Sequence, residues 1–102
     1  MSVSRIIGTT ELRQRVDASP IEHSWNVGVD EYYTGELIPG SRRVPLSHVG
    51  REVRRLGIPA DAEIVVYCNS PKCPNSVQAA QKLEAFGYTN VLAFKSGLEK
   101  WK

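Results

Sequence analysis

With 102 residues, of which 41% are hydrophobic and 24% charged, the chain has the composition of one globular domain, predicted to span residues 1–102. Thirteen Lys and Arg residues against eleven Asp and Glu residues give a formal charge of +2, too small to indicate a nucleic-acid partner. Two cysteines do not indicate a disulfide-rich secreted scaffold, and neither a signal peptide nor a membrane span is apparent. We therefore expect a cytoplasmic protein without membrane contact.

The first half of the sequence alternates between short apolar segments and a segment with helical spacing. Thr9 or Thr10 is predicted to cap that helix, because a threonine hydroxyl can accept a hydrogen bond from an amide of the first turn. The predicted elements are, in order, a strand at Arg5–Ile7, a helix at Glu11–Val16 and a strand within Ile21–Val29.

The middle of the chain combines loop residues with a basic helix. The predicted elements are a helical turn at Asp30–Tyr33, a loop at Gly35–Gly40, a strand at Arg42–Pro45 and a helix at Ser47–Leu56 that Ser47 caps. The outer face of this helix carries arginines within Arg51–Arg55, which either form a solvated surface or bind an acidic partner protein.

The second half contains the most strongly apolar segment of the chain. Glu63–Tyr67 ends in an unbroken apolar run, which is typical of a strand covered on both faces, and we predict it as the central strand. A helix from Ser76 to a left-handed cap at Gly87, a strand at Asn90–Phe94 and a last turn at Ser96–Trp101 follow. This alternation predicts an α/β fold with a mainly parallel sheet and helices on both faces.

Cys68 lies between the predicted central strand and the helix predicted to begin near Ser76. A parallel strand ends at the edge of the sheet where ligands bind, and a first helical turn offers unpaired amides and a positive dipole end. These groups, with the amides of the connecting loop Asn69–Asn75, stabilise negative charge on sulfur, both on a thiolate and on the outer sulfur of a persulfide. We therefore predict that Cys68 is a catalytic nucleophile, open to solvent, with a lowered thiol pKa. The alternative is a small core residue that follows a strand.

The loop and the start of the next helix supply the predicted substrate-binding residues Asn69, Ser70, Lys72, Cys73, Asn75 and Ser76. Lys72 either attracts an anionic sulfur donor or is a solvated loop lysine. Cys73 either resolves an oxidised or persulfidated Cys68 as a disulfide or is an inert loop residue. Ser76 is predicted first as a helix cap and second as a hydroxyl donor to the pocket.

A metal site is not indicated by the sequence. The spacing of Cys68 and Cys73 differs from that of a zinc knuckle, and the two histidines, His23 and His48, lie far from the loop in sequence. We therefore expect neither a metal nor a cofactor.

Several segments together resemble the rhodanese-like domain family. They are Leu37–Ser41, Val44–Leu46, Val65–Cys68, the helix from Ser76 with Ala79, Ala80 and Leu83, Gly87–Val91 and Gly97–Trp101. The resemblance implies a five-stranded, mainly parallel sheet flanked by helices. It also implies a sulfurtransferase that carries sulfane sulfur as a persulfide on Cys68. Its donor would be a thiosulfate- or mercaptopyruvate-like anion or a protein persulfide, and its acceptor a thiol or another nucleophile.

The sequence also departs from the family pattern. The loop Asn69–Asn75 is longer than the family's usual active loop, which implies a wider or differently shaped pocket. Asn75 stands where thiosulfate-type loops commonly carry arginine, so thiosulfate is expected to be a poor donor. Trp25–Val29 replaces the frequent Asp-Val-Arg, and Leu37 replaces a frequent histidine. A variant group with a longer loop and a second loop cysteine is the most similar.

Three other functions are weighed against sulfur transfer. A phosphatase or arsenate reductase needs an arginine shortly after its cysteine, and no arginine follows Cys68. A thiol redox or persulfide-sensing module using Cys68 and Cys73 remains an alternative, as does a catalytically silent rhodanese-like binding domain. The sequence leaves a homodimer open.

Overall fold

The computed structural model describes residues 5–18, 21, 23–28, 35, 37–38, 40–69, 74–95, 97 and 101. Within these ranges the elements are β1 (Arg5–Ile6), α1 (Thr9–Ala18), β2 (His23–Asn26), β3 (Arg42–Arg43), a 3-10 helix (Leu46–His48), α2 (Val49–Leu56), β4 (Ile64–Tyr67), α3 (Asn75–Ala85) and β5 (Val91–Phe94). The predicted turn at Asp30–Tyr33 lies outside the described residues.

The strands form one five-stranded sheet with the order β1-β5-β4-β2-β3, in which every neighbouring pair is parallel. Strand β4 lies at its centre, where Ile64 pairs with His23 of β2 on one side and with Val91 of β5 on the other. The predicted parallel sheet and its central strand are therefore confirmed.

Strand β4 is buried on both faces because helices cover the sheet from two sides. Ile64 and Val66 belong to the core that includes Val49 and Val53 of α2 and Leu83 of α3. The core on the opposite face contains Val65 and Tyr67 of β4, together with Leu12 of α1. Side chains of successive strand residues alternate between faces, so the unbroken apolar run supplies both cores.

Glycines in the left-handed region follow the C-terminal ends of two helices, and one of them, Gly87, was predicted as a cap. Gly57 follows α2 with φ 64°, and Gly87 lies just beyond α3 with φ 97°. At the second end the amide of Gly87 donates to the carbonyl of Glu84 (2.9 Å), and that of Tyr88 donates to Leu83 (3.1 Å). These two bonds define a Schellman motif, so the predicted left-handed cap at Gly87 is confirmed.

The predicted N-terminal caps are wrong. Thr9 and Thr10 lie inside the first turn of α1, and Ser47 lies inside the 3-10 helix that precedes α2. The residues that do cap α2 and α3, His48 and Pro74, form no side-chain hydrogen bond to their helices. The helices α2 and α3 therefore begin without a side-chain cap.

Candidate active site

Cys68 directly follows the central strand at the edge of the sheet where the strands end. The amide of Val27 donates to the carbonyl oxygen of Tyr67 at 2.8 Å, so the pairing of β2 with β4 extends to the residue before Cys68. Gly28 lies beside the cysteine, because a side chain at position 28 would come within 3.6 Å of both Cα and Cβ of Cys68. The backbone after β2 thus forms one wall around Cys68.

The side chain of Cys68 is a thiol with 0% of its surface exposed. Strand alternation directs it to the same face as Ile64 and Val66, and it belongs to the core that also contains Ala79 and Ala80 of α3. These small α3 residues occupy the same core, where a short side chain allows close packing. The prediction that this sulfur is open to solvent is therefore wrong.

A buried asparagine connects the ends of β2, β3 and β4. Asn26 has 0% exposure, and its Nδ2 donates to Oδ1 of Asn69 at 3.0 Å. Its Oδ1 accepts from the amide of Gly28 at 3.0 Å and from Nη1 of Arg43 at 3.4 Å. The same Nη1 also donates to the carbonyl oxygen of Asn26 at 3.0 Å. Asn69, the first loop residue after Cys68, is therefore tied to β2, and Arg43 brings a cation to this edge.

Asn26 and Arg43 were not among the site residues predicted from the sequence. Both lie at the C-terminal ends of strands that were themselves predicted, and the register pairs Asn26 with Arg43 on one side and with Tyr67 on the other. Polar residues at the C-terminal ends of neighbouring parallel strands meet at the edge of the sheet where ligands bind. This rule could have identified both residues from the sequence.

The start of α3 contributes two further polar side chains to the region. Nδ2 of Asn75 donates to the carbonyl oxygen of Val27 at 3.0 Å, which ties the helix to the end of β2. Ser76 is the second residue of α3 and has 0% exposure. Among the side chains that the structure describes, its Oγ is the buried polar atom without a hydrogen-bond partner. The prediction of Ser76 as a helix cap is wrong, whereas its role as a donor to the pocket stays a prediction.

The structure thus brings part of the predicted site together. Asn69 bonds to Asn26, the last residue of β2, and Asn75 bonds to Val27, the residue that follows it. The predicted site residues Ser70, Lys72 and Cys73 lie outside the described residues.

Within the described ranges, no three His, Cys, Asp or Glu side chains cluster in a way that could hold a metal ion. None of the helices described there is long and apolar enough to cross a membrane.

The parallel sheet, with a cysteine after its central strand, corresponds to a known family. The family model of the rhodanese-like domain matches residues 7–102, and the chain belongs to this family. No curated protein matches the sequence significantly.

Solved structures share this fold at low sequence identity. The human single-domain sulfurtransferase TSTD1 is 21% identical with a TM-score of 0.73, over 94% of this chain and 93% of that one. A rhodanese-like domain protein from Staphylococcus aureus is 19% identical with a TM-score of 0.77, over 96% and 91% of the two chains. The BH2092 protein of Bacillus halodurans is 22% identical with a TM-score of 0.78, over 95% and 70%. These structures establish the likeness of fold.

Proposed function

We propose that the chain is a sulfurtransferase of the rhodanese type that carries sulfane sulfur as a persulfide on Cys68. The observation that carries this proposal is the position of the thiol in a member of this family. Cys68 directly follows the central strand β4, and α3, the next element along the chain, begins at Asn75. Amides and the dipole at such an end favour a negatively charged sulfur.

The reaction consists of two displacements at sulfur. The Cys68 thiolate attacks the sulfane sulfur of the donor, and a sulfur–sulfur bond forms on the cysteine. The bond between that sulfur and the rest of the donor breaks, and its electron pair leaves with the donor, as sulfite if the donor is thiosulfate. An acceptor thiolate then attacks the outer sulfur and releases Cys68 as the thiolate, so no external oxidant or reductant is needed.

The described polar residues have separate parts in this proposal. The unpartnered hydroxyl of Ser76 donates to the sulfur anion when the persulfide forms, which would satisfy this buried group. Asn69 and Asn75 hold the two ends of the loop against β2. Arg43 and Lys72 supply positive charge for an anionic donor, and Ser70 and Cys73 remain predicted substrate-binding residues.

A catalytically silent rhodanese-like binding domain is the second candidate. The complete burial of Cys68 favours it, because a donor has to reach the sulfur for transfer to occur. Alkylation of the folded protein separates the two candidates: a silent domain leaves Cys68 unmodified until it is denatured, and a transferase reacts while folded.

Intact-mass analysis after incubation with several sulfur donors tests the proposed activity. We compare the parent chain with Cys68→Ser and use Cys73→Ser as the matched control. We expect the parent chain and Cys73→Ser to gain one sulfur atom and Cys68→Ser to gain none. A sulfur adduct that survives Cys68→Ser contradicts the assignment of the carrier. Absence of an adduct on all three chains, with a protected Cys68, supports the silent domain instead.

A further inference from the structure

A second surface feature lies between α2 and α3, formed by side chains that the sulfur chemistry does not use. It is a cleft of about 650 Å³ whose lining includes Leu46, Arg51, Arg54, Arg55, Lys82 and Phe86. Four of these six side chains are cationic and none is acidic. We refer to it below as the α2–α3 cleft.

One of these cations, Arg55, forms an ion pair with an acidic neighbour. Nε of Arg55 lies 2.8 Å from Oε1 of Glu52, and Nη2 of Arg42 lies 2.7 Å from Oε2 of the same carboxylate. The hydrogen bond from Arg55, and next to it that from Arg42, lowers the pKa of Glu52 to about 2, so the carboxylate stays charged at neutral pH. Arg55 is therefore ion-paired, with a carboxylate that it shares with Arg42.

The other three cations have no such compensation. Among the described residues, Arg51, Arg54 and Lys82 form no ion pair, and all three are exposed. Arg51 and Arg54 are three residues apart, so they follow one another along α2 over a rise of about 4.5 Å. Lys82 faces them from α3. The α2–α3 cleft is thus flanked on both sides by uncompensated positive charge.

The cleft also offers an apolar contact beside these charges. The ring of Phe86 is 47% exposed, and the guanidinium of Arg54 lies over it with Cζ at 5.4 Å from the ring centroid. Gly50 permits this arrangement, because a Cβ there would come within 2.7 Å of Cζ of Phe86. Arginine and aromatic side chains are enriched at protein interfaces and dominate their binding energy.

We propose that the α2–α3 cleft binds an acidic segment of a partner protein, with carboxylates on Arg51, Arg54 and Lys82 and an apolar side chain on Phe86. The uncompensated cations supply the charge complementarity. Their spread along two helices fits carboxylates spaced along a peptide, and the exposed ring offers an apolar side chain a contact that a simple anion does not use. The proposal is independent of the chemistry at Cys68.

Fluorescence anisotropy with labelled peptides tests the binding. The probe is a Glu- and Asp-rich peptide that carries one leucine, and the control peptide has Gln and Asn in place of the acids. We expect the acidic peptide to bind and the control peptide not to bind. The affinity for the acidic peptide should fall as salt is added. Arg51→Gln, Arg54→Gln and Lys82→Gln should each weaken binding about two- to fivefold, the usual range for exposed ion pairs.

The matched control is Gln14→Glu, which changes the net charge by the same amount on the exposed side of α1, across the sheet. It should leave the affinity within about twofold, because its distance from the cleft exceeds the screening length of roughly 8 Å at physiological salt. Equal weakening by Gln14→Glu would show that only overall charge matters and would overturn the proposal.

The apolar contact is tested by a double-mutant cycle between protein and peptide. Phe86→Ala should weaken binding of the leucine-containing peptide and have no further effect once that leucine is alanine. Equal binding of the neutral peptide overturns the proposal. Binding of inorganic tripolyphosphate without binding of the acidic peptide also overturns it, since the cleft then takes a small anion.

Discussion

At the scale of single residues, Ser76 is the least expected feature of the site. Its hydroxyl is fully buried in the first turn of α3 and has no hydrogen-bond partner among the residues that the structure describes. A buried polar group without a partner lowers the free energy of unfolding by about 1–3 kcal/mol. Such a group in a folded protein therefore calls for a functional explanation. In the proposed function the hydroxyl donates a hydrogen bond to the negatively charged sulfur that Cys68 carries.

This interpretation predicts opposite effects of Ser76→Ala on stability and on activity. The free energy of unfolding should stay the same or rise by up to about 1 kcal/mol, because an unsatisfied buried hydroxyl is removed. The rate of persulfide formation should fall by about tenfold or more, since a hydrogen bond to a charged group contributes about 1.5–3 kcal/mol. Urea denaturation and single-turnover mass spectrometry measure the two quantities.

Ser24→Ala is the control for this pair of measurements. Ser24 is buried as well, but its Oγ lies 2.9 Å from Oγ of Ser41 and is therefore satisfied. Its removal should lower the free energy of unfolding by about 1 kcal/mol and leave the rate unchanged. A loss of stability in Ser76→Ala together with an unaltered rate would mean that Ser76 has only a structural role.

At the scale of elements, glycines end the helices that face Cys68 and the α2–α3 cleft. Gly57 has φ 64° and ψ 37°, and its amide and that of Ile58 donate to the carbonyls of Arg54 and Val53 at 3.3 and 3.2 Å. A Cβ at this position would touch no other atom within 4 Å. A side chain at this position would therefore lower stability through the backbone conformation that it disfavours, and not through a clash with the rest of the protein.

We expect Gly57→Ala to lower the free energy of unfolding by about 1 kcal/mol, because alanine disfavours the left-handed region. Gly57→Asn should recover part of this loss, since asparagine adopts that region more readily. Chemical denaturation of the three chains measures the series. Equal stability of all three would show that the end of α2 does not depend on the left-handed conformation.

The elements also show which features can be predicted from sequence. The central strand, the helix ending at Gly87 and the parallel order follow from local patterns: an apolar run, helical spacing and a glycine. The N-terminal caps were wrong, because Thr9 and Ser47 could cap a helix by residue type, whereas both lie inside helical turns in the structure. Asn26 was missed because its partners, Arg43 and Asn69, lie 17 and 43 residues away along the chain.

The burial of Cys68 was beyond sequence reasoning for a related reason. The position after a buried strand is defined locally, but its exposure depends on how closely α3 and the segment around Gly28 pack beside it. The segment around Gly28 is distant in sequence from the strand, and the approach of α3, although it follows soon after β4, is set by packing rather than by a local pattern. The sequence therefore indicated where the sulfur lies in the fold and not how a donor reaches it.

At the scale of the whole molecule, a formal charge of +2 conceals an uneven distribution. The carboxylate of Glu52 binds both Arg42 and Arg55, and so connects the edge strand β3 to the C-terminal half of α2. Its pKa is lowered from 4.5 to about 2, mainly by the hydrogen bond from Arg55. A lowered carboxyl pKa in the folded state means that the ionised group stabilises the fold.

The sign of this effect fixes its pH dependence. The stabilisation is complete above the unfolded pKa of 4.5 and disappears as the pH falls toward the folded pKa of about 2. The side chains of Arg42 and Arg55 are 47% and 56% exposed, so solvent weakens both pairs. We expect Glu52→Gln to lower the free energy of unfolding by roughly 1 kcal/mol at neutral pH.

Urea denaturation of the parent chain and Glu52→Gln between about pH 2 and pH 7 measures this difference. The difference should be constant down to about pH 5, shrink below it and vanish near pH 2, because a protonated Glu52 resembles glutamine. Asp61→Asn, at an exposed acid that forms no ion pair among the described residues, is the control and should stay within about 0.5 kcal/mol of the parent throughout. A difference for Glu52→Gln that is independent of pH would assign its effect to packing and contradict the role of charge in joining β3 to α2.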